Sequence, residues 1–365
     1  MLQLHHQLRR LHLRHRKLSS SLRSKSSSKN RIPALWRYFF HRPTGRYSDG
    51  RLIIDFIAEF LGLPYVSPYV GHENQSFEKG INFAVAGATA VEPELLKEKG
   101  ITANYITNVS LKVQLDIFKN ILYGLPSGAK RRRSSLLFSR LRRTLGNSLF
   151  LVGEIGGNDY NYGFLMGKTI QEIKEIVPLV INTISSTIVE LYNLGARTFL
   201  VPGKFPTGCS PSCLTRFRTT YTTDYDSLTG CLKRPNEFSE YHNDQLQKEL
   251  IRLQKFYPNA TINYADYYDV VLQFYHEPTQ YGFMEKPLAA CCEIGGLYNF
   301  AADRPCGSEG VECCNDPSKY VSWDGIHLTE AAHGWMAKSL LNGPLAFLVS
   351  TRPAFPLVSD LISVS

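Results

Sequence analysis

The sequence predicts an α/β protein in which strands and helices alternate around a parallel sheet, the doubly wound arrangement. Short apolar runs of strand length alternate with longer segments whose apolar residues recur every three or four positions, which is helical spacing. One such run, Asn147–Ile155, breaks into Gly156-Gly157-Asn158-Asp159, and a buried strand that ends in a glycine-rich loop is typical of parallel sheets. Ligands of these folds bind where the strands end, so this loop is a candidate site.

The elements follow in chain order from turn residues and apolar spacing. Pro43–Gly50 is rich in turn residues and leads into a helix over Arg51–Leu61, which Pro64 terminates. Gly80–Ala88 is a short apolar segment that ends in small residues. Later strands are predicted at Asn147–Ile155, Thr198–Val201 and Ala260–Tyr264. Later helices are predicted at Ile170–Leu194, Phe238–Phe256, Ala265–Phe274 and Ala331–Leu341.

One domain over residues 32–350 is predicted between two tails. Residues 1–31 are rich in Arg, His, Leu and Ser and contain no apolar core of the about 7–15 residues typical of a signal peptide. We expect a disordered basic tail there, with an organelle transit peptide as the alternative. Residues 351–365 form the C-terminal tail. No apolar run approaches the ~18 residues that cross a membrane.

The net charge of +9 comes from two segments rather than from the domain as a whole. Residues 1–42 hold eleven basic residues and no acidic one, and the insert Lys130–Arg143 holds seven more. The remaining chain has 23 basic against 32 acidic residues. A nucleic-acid-binding face needs a basic patch on the folded domain, so a nucleic-acid partner is not expected.

The cysteine pattern favours disulfides over a metal site. All eight cysteines lie in the C-terminal half and none shows a paired CxxC spacing, so no zinc or other metal is expected. Plausible bridges join Cys209 to Cys231, and Cys292 to either Cys306 or Cys314. Because Asn-x-Ser/Thr sequons also occur, the composition favours a secreted glycoprotein. The sequons begin at Asn74, Asn108 and Asn259.

The run Ser322–Glu330 carries the clearest chemical signal, because it places Asp324 three residues before His327. A carboxylate at this spacing can accept a hydrogen bond from one imidazole nitrogen, which fixes the tautomer and leaves the other nitrogen free as a general base. Taken alone, the pair could equally be a structural hydrogen bond. An orienting acid and a base imply a third group, a nucleophile.

Several separate sequence blocks add to these features: Pro43–Arg46, Asp49–Arg51, Gly80–Ala84, Val152–Asn161, Tyr241–Asn243, Tyr264–Tyr268, Cys291–Cys292 and Trp323–Ala332. Together they resemble the plant GDSL esterase/lipase family, a branch of the SGNH hydrolases, over about residues 39–345. Val152–Asn161 is especially similar to the subgroup that holds sinapine and acetylajmalan esterases. The resemblance implies a three-layer α/β/α, flavodoxin-like fold and the hydrolysis of small-molecule carboxylic esters through an acyl-enzyme, without metal or organic cofactor.

Carried over residue by residue, the resemblance implies that Asp324 and His327 are the catalytic acid and base. It also implies that Gly87 and Asn158 donate hydrogen bonds to the oxyanion. The structural alternatives are a turn role for Asn158 and a close backbone approach at Gly87. His333 is expected on a helix surface rather than at a metal.

The family's nucleophilic serine does not carry over. In the family it follows the first strand in a Gly-Asp-Ser motif, whereas residues 1–38 contain no Gly and no Asp, and Ser48 belongs to a different block. That strand is interior to the sheet, so we expect it to be missing or replaced, with Ile32–Phe40 as the candidate. We expect an inactive or weakly active chain; a non-catalytic protein that binds an ester or glycan is the alternative.

Overall fold

The computed structural model describes residues 2–4, 39–40, 44–71, 79–102, 106–123, 142–284, 286–292 and 295–343. Their strands form one five-stranded sheet in the order β2–β1–β3–β4–β5. The strands are β1 (Leu2–Leu4), β2 (Gly80–Asn82), β3 (Leu149–Leu151), β4 (Thr198–Pro202) and β5 (Thr261–Ala265). As predicted, β3, β4 and β5 pair in parallel. The C-terminal tail and most of the basic insert lie outside the described residues.

The N-terminal strand β1 lies inside the sheet and pairs antiparallel with both β2 and β3. The expectation of a disordered tail is therefore wrong for Leu2–Leu4, and residues 5–31 lie outside the described chain. The interior slot is filled by this strand rather than by Ile32–Phe40, whose residues 32–38 are likewise not described. Strand pairing uses backbone groups that every non-proline residue carries, so an unrelated extended segment can fill the slot.

Helices cover both faces of the sheet, and each helix predicted from the apolar spacing is present. The helices are α1 (Ile53–Phe60), α2 (Pro93–Glu98), α3 (Leu111–Tyr123), α4 (Gly157–Leu165), α5 (Ile170–Lys174), α6 (Val177–Leu194), α7 (Pro211–Arg216), α8 (Lys233–Phe256), α9 (Tyr267–His276) and α10 (Glu330–Asn342).

The long helix predicted over Ile170–Leu194 is divided into α5 and α6. Pro178 lies in the first turn of α6, where its missing N–H leaves no hydrogen bond unmade and its fixed φ suits a new helix. Among the described residues, this stretch alone is long and apolar enough to cross a membrane. Half of it is buried inside the protein, as in the core helix of a globular fold.

Side chains that alternate along the strands divide the core into two clusters, one on each face of the sheet. Phe150 and Phe199 face the cluster that also holds buried residues of α3, α6 and α8. Leu149, Leu151 and Leu200 face the other, with buried residues of α1, α9 and α10. These layers of helix, sheet and helix confirm the predicted three-layer α/β/α architecture.

Three disulfides stabilise the C-terminal half: Cys209–Cys231, Cys291–Cys314 and Cys292–Cys306. The predicted Cys209–Cys231 bridge is confirmed, and Cys292 pairs with Cys306 rather than Cys314. The Sγ of Cys313 lies 2.8 Å from that of Cys292. With Cys306 these two form the one described group with metal-binding geometry, but two of its three sulfurs are joined in a disulfide.

The placement of β1 can be tested with Gln3→Pro. Proline has no N–H to donate to a neighbouring strand, so the variant should be less stable by about 1–3 kcal/mol. Chemical denaturation measures this difference. Gln3→Val keeps the N–H and is the matched control. If Gln3→Pro and Gln3→Val are equally stable, β1 does not pair inside the sheet.

Candidate active site

The loops that follow β2, β3 and β4 meet at one edge of the sheet, which we call the carboxyl edge. Gly87 lies in the loop after β2, Asn158 in the first turn of α4, which follows β3, and Lys204 just after β4. Gly156 begins α4 in a left-handed conformation, with φ of 100°. A Cβ on it would lie 2.6 Å from a side-chain methyl of Val180. Only glycine combines this φ with this close approach, so the loop depends on its glycines.

The structure brings Gly87 and Asn158 together. The Asn158 amide Nδ2 donates to the carbonyl oxygen of Ala88 at 2.9 Å. The Tyr162 hydroxyl donates to the carbonyl oxygen of Gly87 at 2.9 Å. The predicted donors are therefore held side by side at the start of α4, and their role toward an oxyanion stays a prediction.

Asp159 holds the loop after β2 through two backbone hydrogen bonds. Its buried carboxylate accepts the backbone N–H groups of Ala90 and Val91 at 2.8 and 2.9 Å. Burial raises the pKa of Asp159 to about 7, and the two N–H donors oppose that rise. The residue after the predicted oxyanion donor therefore joins the loop after β2 to α4.

Asp324 and His327 form the predicted hydrogen bond. Asp324 Oδ2 lies 2.6 Å from His327 Nδ1, and Asp324 Oδ1 accepts the backbone N–H groups of Ile326 and His327. The Asp324 side chain is 13% exposed and the His327 side chain 41%. The carboxylate is thus shielded on one side of the imidazole, while part of the ring is open to solvent.

Electrostatics favour the charged pair. Burial lowers the pKa of His327, but the Asp324 charge, the hydrogen bond and the Glu154 charge together raise it above its ordinary value. Burial raises the pKa of Asp324, but the same pairing with His327 holds it below its ordinary value. Asp324 therefore stays ionised and accepts from Nδ1, which leaves Nε2 to take up a proton.

Three residues near this pair were not identified from the sequence. The Tyr47 ring lies 4.9 Å from the His327 ring, centroid to centroid. Glu154 is accessible to solvent, yet burial raises the pKa of its carboxyl, and the charges of Lys204 and His327 oppose the rise. Glu154 lies near the end of the predicted strand Asn147–Ile155, and Lys204 follows the predicted strand Thr198–Val201. Charged residues at strand ends were the available signal.

Lys204 introduces a buried cation at the carboxyl edge. Its ammonium lies 5.4 Å from the centroid of the Tyr160 ring. Burial lowers the pKa of Lys204, while the charges of Glu154 and Asp159 oppose the change. The Glu154 charge thus raises the pKa of His327 and opposes the fall in the pKa of Lys204, which couples the loop after β3 electrostatically to the Asp324–His327 pair.

The position of His333 corrects the expectation of a helix-surface residue. The side chain is only partly exposed, and its Nδ1 is buried with no hydrogen-bond partner among the described residues. Burial and the positive charge of His327 lower the pKa of His333 to about 3. His333 is therefore a partly buried residue of α10 rather than a solvated one.

A hydrogen-bonded Asp–His pair in a three-layer protein with a glycine-rich loop at the carboxyl edge of its sheet is typical of α/β/α hydrolases. Comparison with known proteins specifies the family. The model of the GDSL-like Lipase/Acylhydrolase family matches residues 24–340. This chain therefore belongs to the GDSL esterase/lipase family, whose members are hydrolases that act on ester bonds.

Curated relatives agree with this assignment. Two GDSL esterase/lipases of Arabidopsis thaliana are 59% and 58% identical over 317 residues, which is 87% of this chain and 79% and 78% of the relatives. Sinapine esterase of Brassica napus is 56% identical over 317 residues, 87% of this chain and 78% of that protein.

Replacing the acid should change the titration of the base. In Asp324→Asn, the pKa of His327 should fall, because the charge that raises it is removed. Proton NMR of the imidazole Hε1 against pH measures this pKa. His276→Gln, a change at an exposed histidine on α9, is the control. An unchanged His327 pKa in Asp324→Asn would show that the two side chains do not interact in solution.

His333 should make the protein sensitive to acid. Its folded pKa, about 3, is below its unfolded value of about 6.5. Stability from the neutral ring is therefore complete above about pH 6.5 and is lost as the pH falls toward 3. Denaturation curves give the free energy of unfolding at pH 7 and at pH 5. The decrease between these two pH values should be about 1–2 kcal/mol smaller in His333→Gln than in the parent chain. An equal loss in both chains would contradict a buried, neutral His333.

Proposed function

We propose that this chain carries the general base, orienting acid and oxyanion donors of a carboxylic ester hydrolase that acts through an acyl-enzyme. His327 would take the proton of a nucleophile through Nε2, and Asp324 would hold the imidazole in the required tautomer. The Gly87 backbone N–H and the Asn158 amide would stabilise the negative oxygen of the tetrahedral intermediate. The 2.6 Å hydrogen bond between Asp324 and His327, on a half-exposed ring, supports this proposal most directly.

We also propose that the 365-residue chain is inactive or nearly so. Among the described residues, no serine or threonine hydroxyl is hydrogen-bonded to the His327 ring. Ser48 is fully buried and donates to the carbonyl oxygen of Leu328, so it is not available as a nucleophile. The segment that fills the interior slot, Leu2–Leu4, contains neither serine, glycine nor aspartate.

The antiparallel direction of β1 supports the same conclusion. A parallel strand in this slot would bring the residue that follows it to the carboxyl edge, where the family places its serine. In β1 the Leu2 end lies at that edge, opposite Asn82 and Leu151. Leu4, the last residue of β1, therefore lies at the opposite edge of the sheet.

A second candidate function is non-catalytic binding of an ester or glycan. It is favoured by the intact pair Asp324–His327 and by the donors Gly87 and Asn158, in a chain without the Gly-Asp-Ser motif. A secreted location for either form is supported by three disulfides and by exposed sequon residues at Asn108 and Asn259.

Hydrolysis of p-nitrophenyl acetate and butyrate by the purified chain tests the proposal, with sinapine as a further ester because one relative is named for it. We expect no turnover above that of an Asp324→Ala/His327→Ala control. Turnover that disappears in this control would show that the chain is an active esterase with another nucleophile.

The same esters separate an unreactive chain from a binding protein. If p-nitrophenyl butyrate is not hydrolysed, calorimetric titration should still detect saturable binding by a non-catalytic receptor, and an Asn158→Ala variant should weaken it. If neither turnover nor saturable binding is detected, the second candidate function is wrong.

A further inference from the structure

Five consecutive residues, Tyr47–Arg51, bind the chain that follows the active-site histidine; we call them the clamp segment. The Ser48 hydroxyl donates to the carbonyl oxygen of Leu328 at 3.0 Å. The Asp49 carboxylate accepts the backbone N–H of Glu330 at 2.7 Å. Both clamp side chains are buried, with 0% and 6% exposure. Partners about 280 residues apart in the chain are therefore joined inside the protein.

The Glu330 carboxylate packs against the backbone of the clamp segment, where a side chain at Gly50 would displace it. The Arg51 backbone N–H donates to one oxygen of the Glu330 carboxylate at 2.8 Å, and its guanidinium donates to the other at 2.7 and 2.9 Å. A Cβ on Gly50 would lie 1.6 Å from a Glu330 carboxylate oxygen. The first residue of α10 is therefore held against the backbone of the clamp segment.

The clamp segment is itself fixed to the core. The Arg46 guanidinium forms a two-point contact with the buried Asp55 carboxylate of α1, at 2.7 and 2.5 Å. Asp55 also accepts the backbone N–H of Leu52 at 2.8 Å. Buried residues of α1 and α10 belong to one core cluster. The clamp therefore has a rigid support.

His327 lies between two anchors. On one side, Asp324 holds its ring and backbone N–H, and its carbonyl oxygen accepts the Trp323 N–H at 2.8 Å. On the other side, the clamp segment binds the Leu328 carbonyl oxygen and the Glu330 N–H, and Thr329 between them is bound by Val321 and Tyr320. The Tyr47 ring contacts the imidazole directly. Movement of the start of α10 would therefore move the imidazole relative to Asp324.

We infer that Asp49 is a positioning residue: its hydrogen bond to the Glu330 N–H holds the start of α10 and keeps the His327 imidazole on Asp324. Burial raises the pKa of Asp49 to about 6, with the Glu330 N–H opposing and the Glu330 charge adding to the rise. Burying a carboxylate here is thus unfavourable, which sets Asp49 apart from an ordinary surface residue. The inference rests on the proposed role of His327, but its test does not require turnover.

The test observes the Asp324–His327 hydrogen bond in the full chain by low-field proton NMR. The Nδ1–H resonance is identified by its loss in Asp324→Asn. In Asp49→Ala we expect this resonance to be lost and the His327 pKa to shift downward, because the ring no longer stays on Asp324. Asp49→Asn keeps an oxygen that can accept the Glu330 N–H, so it should retain the resonance.

A core variant separates positioning from general loss of stability. Leu250→Ala, in the cluster on the other face of the sheet, should lower stability but keep the resonance and the His327 pKa. If Asp49→Ala leaves both unchanged, or Leu250→Ala abolishes both, the inference is wrong. If Asp49→Ala does not fold, Ser48→Ala serves in its place: a weakened resonance supports the clamp, and an unchanged one contradicts it. Absence of esterase activity affects none of these outcomes.

Discussion

The interior slot between β2 and β3 is the constraint on which this structure depends. Strands on both sides of the slot present backbone N–H and C=O groups that need partners, at a cost of about 1–3 kcal/mol for each buried group left unpaired. Native stability is only about 5–15 kcal/mol, so an empty slot is not tolerable. β1 satisfies the need with three residues and runs against the direction of its neighbours. Because pairing uses backbone groups, many non-proline sequences can complete the sheet at this position.

The direction and sequence of the strand in the interior slot affect the residues at the carboxyl edge more than they affect strand pairing. The loops after β2, β3 and β4 all reach the carboxyl edge because their strands run in parallel. An antiparallel strand contributes its start to that edge, so the same slot can be filled by a strand whose last residue lies at the opposite edge. The Asp324–His327 pair is held by its own loop and by the clamp segment, neither of which includes β1. The strand in the interior slot can therefore differ between proteins of this fold without altering the Asp324–His327 pair.

Strong local patterns made much of the molecule predictable. The helix α10, the strand β4 and the Asp324–His327 hydrogen bond follow from periodicity or spacing within a few residues. A three-residue strand such as β1 is too short to show a period, and its partners lie far away in the chain. The same holds for the clamp segment, whose partners are about 280 residues distant. The charges of Glu154 and Lys204 were visible in the sequence, but their approach to one another depends on how the strands are ordered.

Retention of the Asp324–His327 pair in a chain without a Gly-Asp-Ser motif has a structural explanation as well as a chemical one. Asp324 accepts two backbone N–H groups, so it would still close its loop if catalysis were lost. The imidazole of His327 closes no loop in this way. Among the described residues its ring is hydrogen-bonded to Asp324 alone, and 41% of the side chain is exposed. Loop closure therefore explains Asp324 but not His327. The exposed ring is the feature that a purely structural role leaves unexplained, and the proposed role of His327 as a general base would account for it.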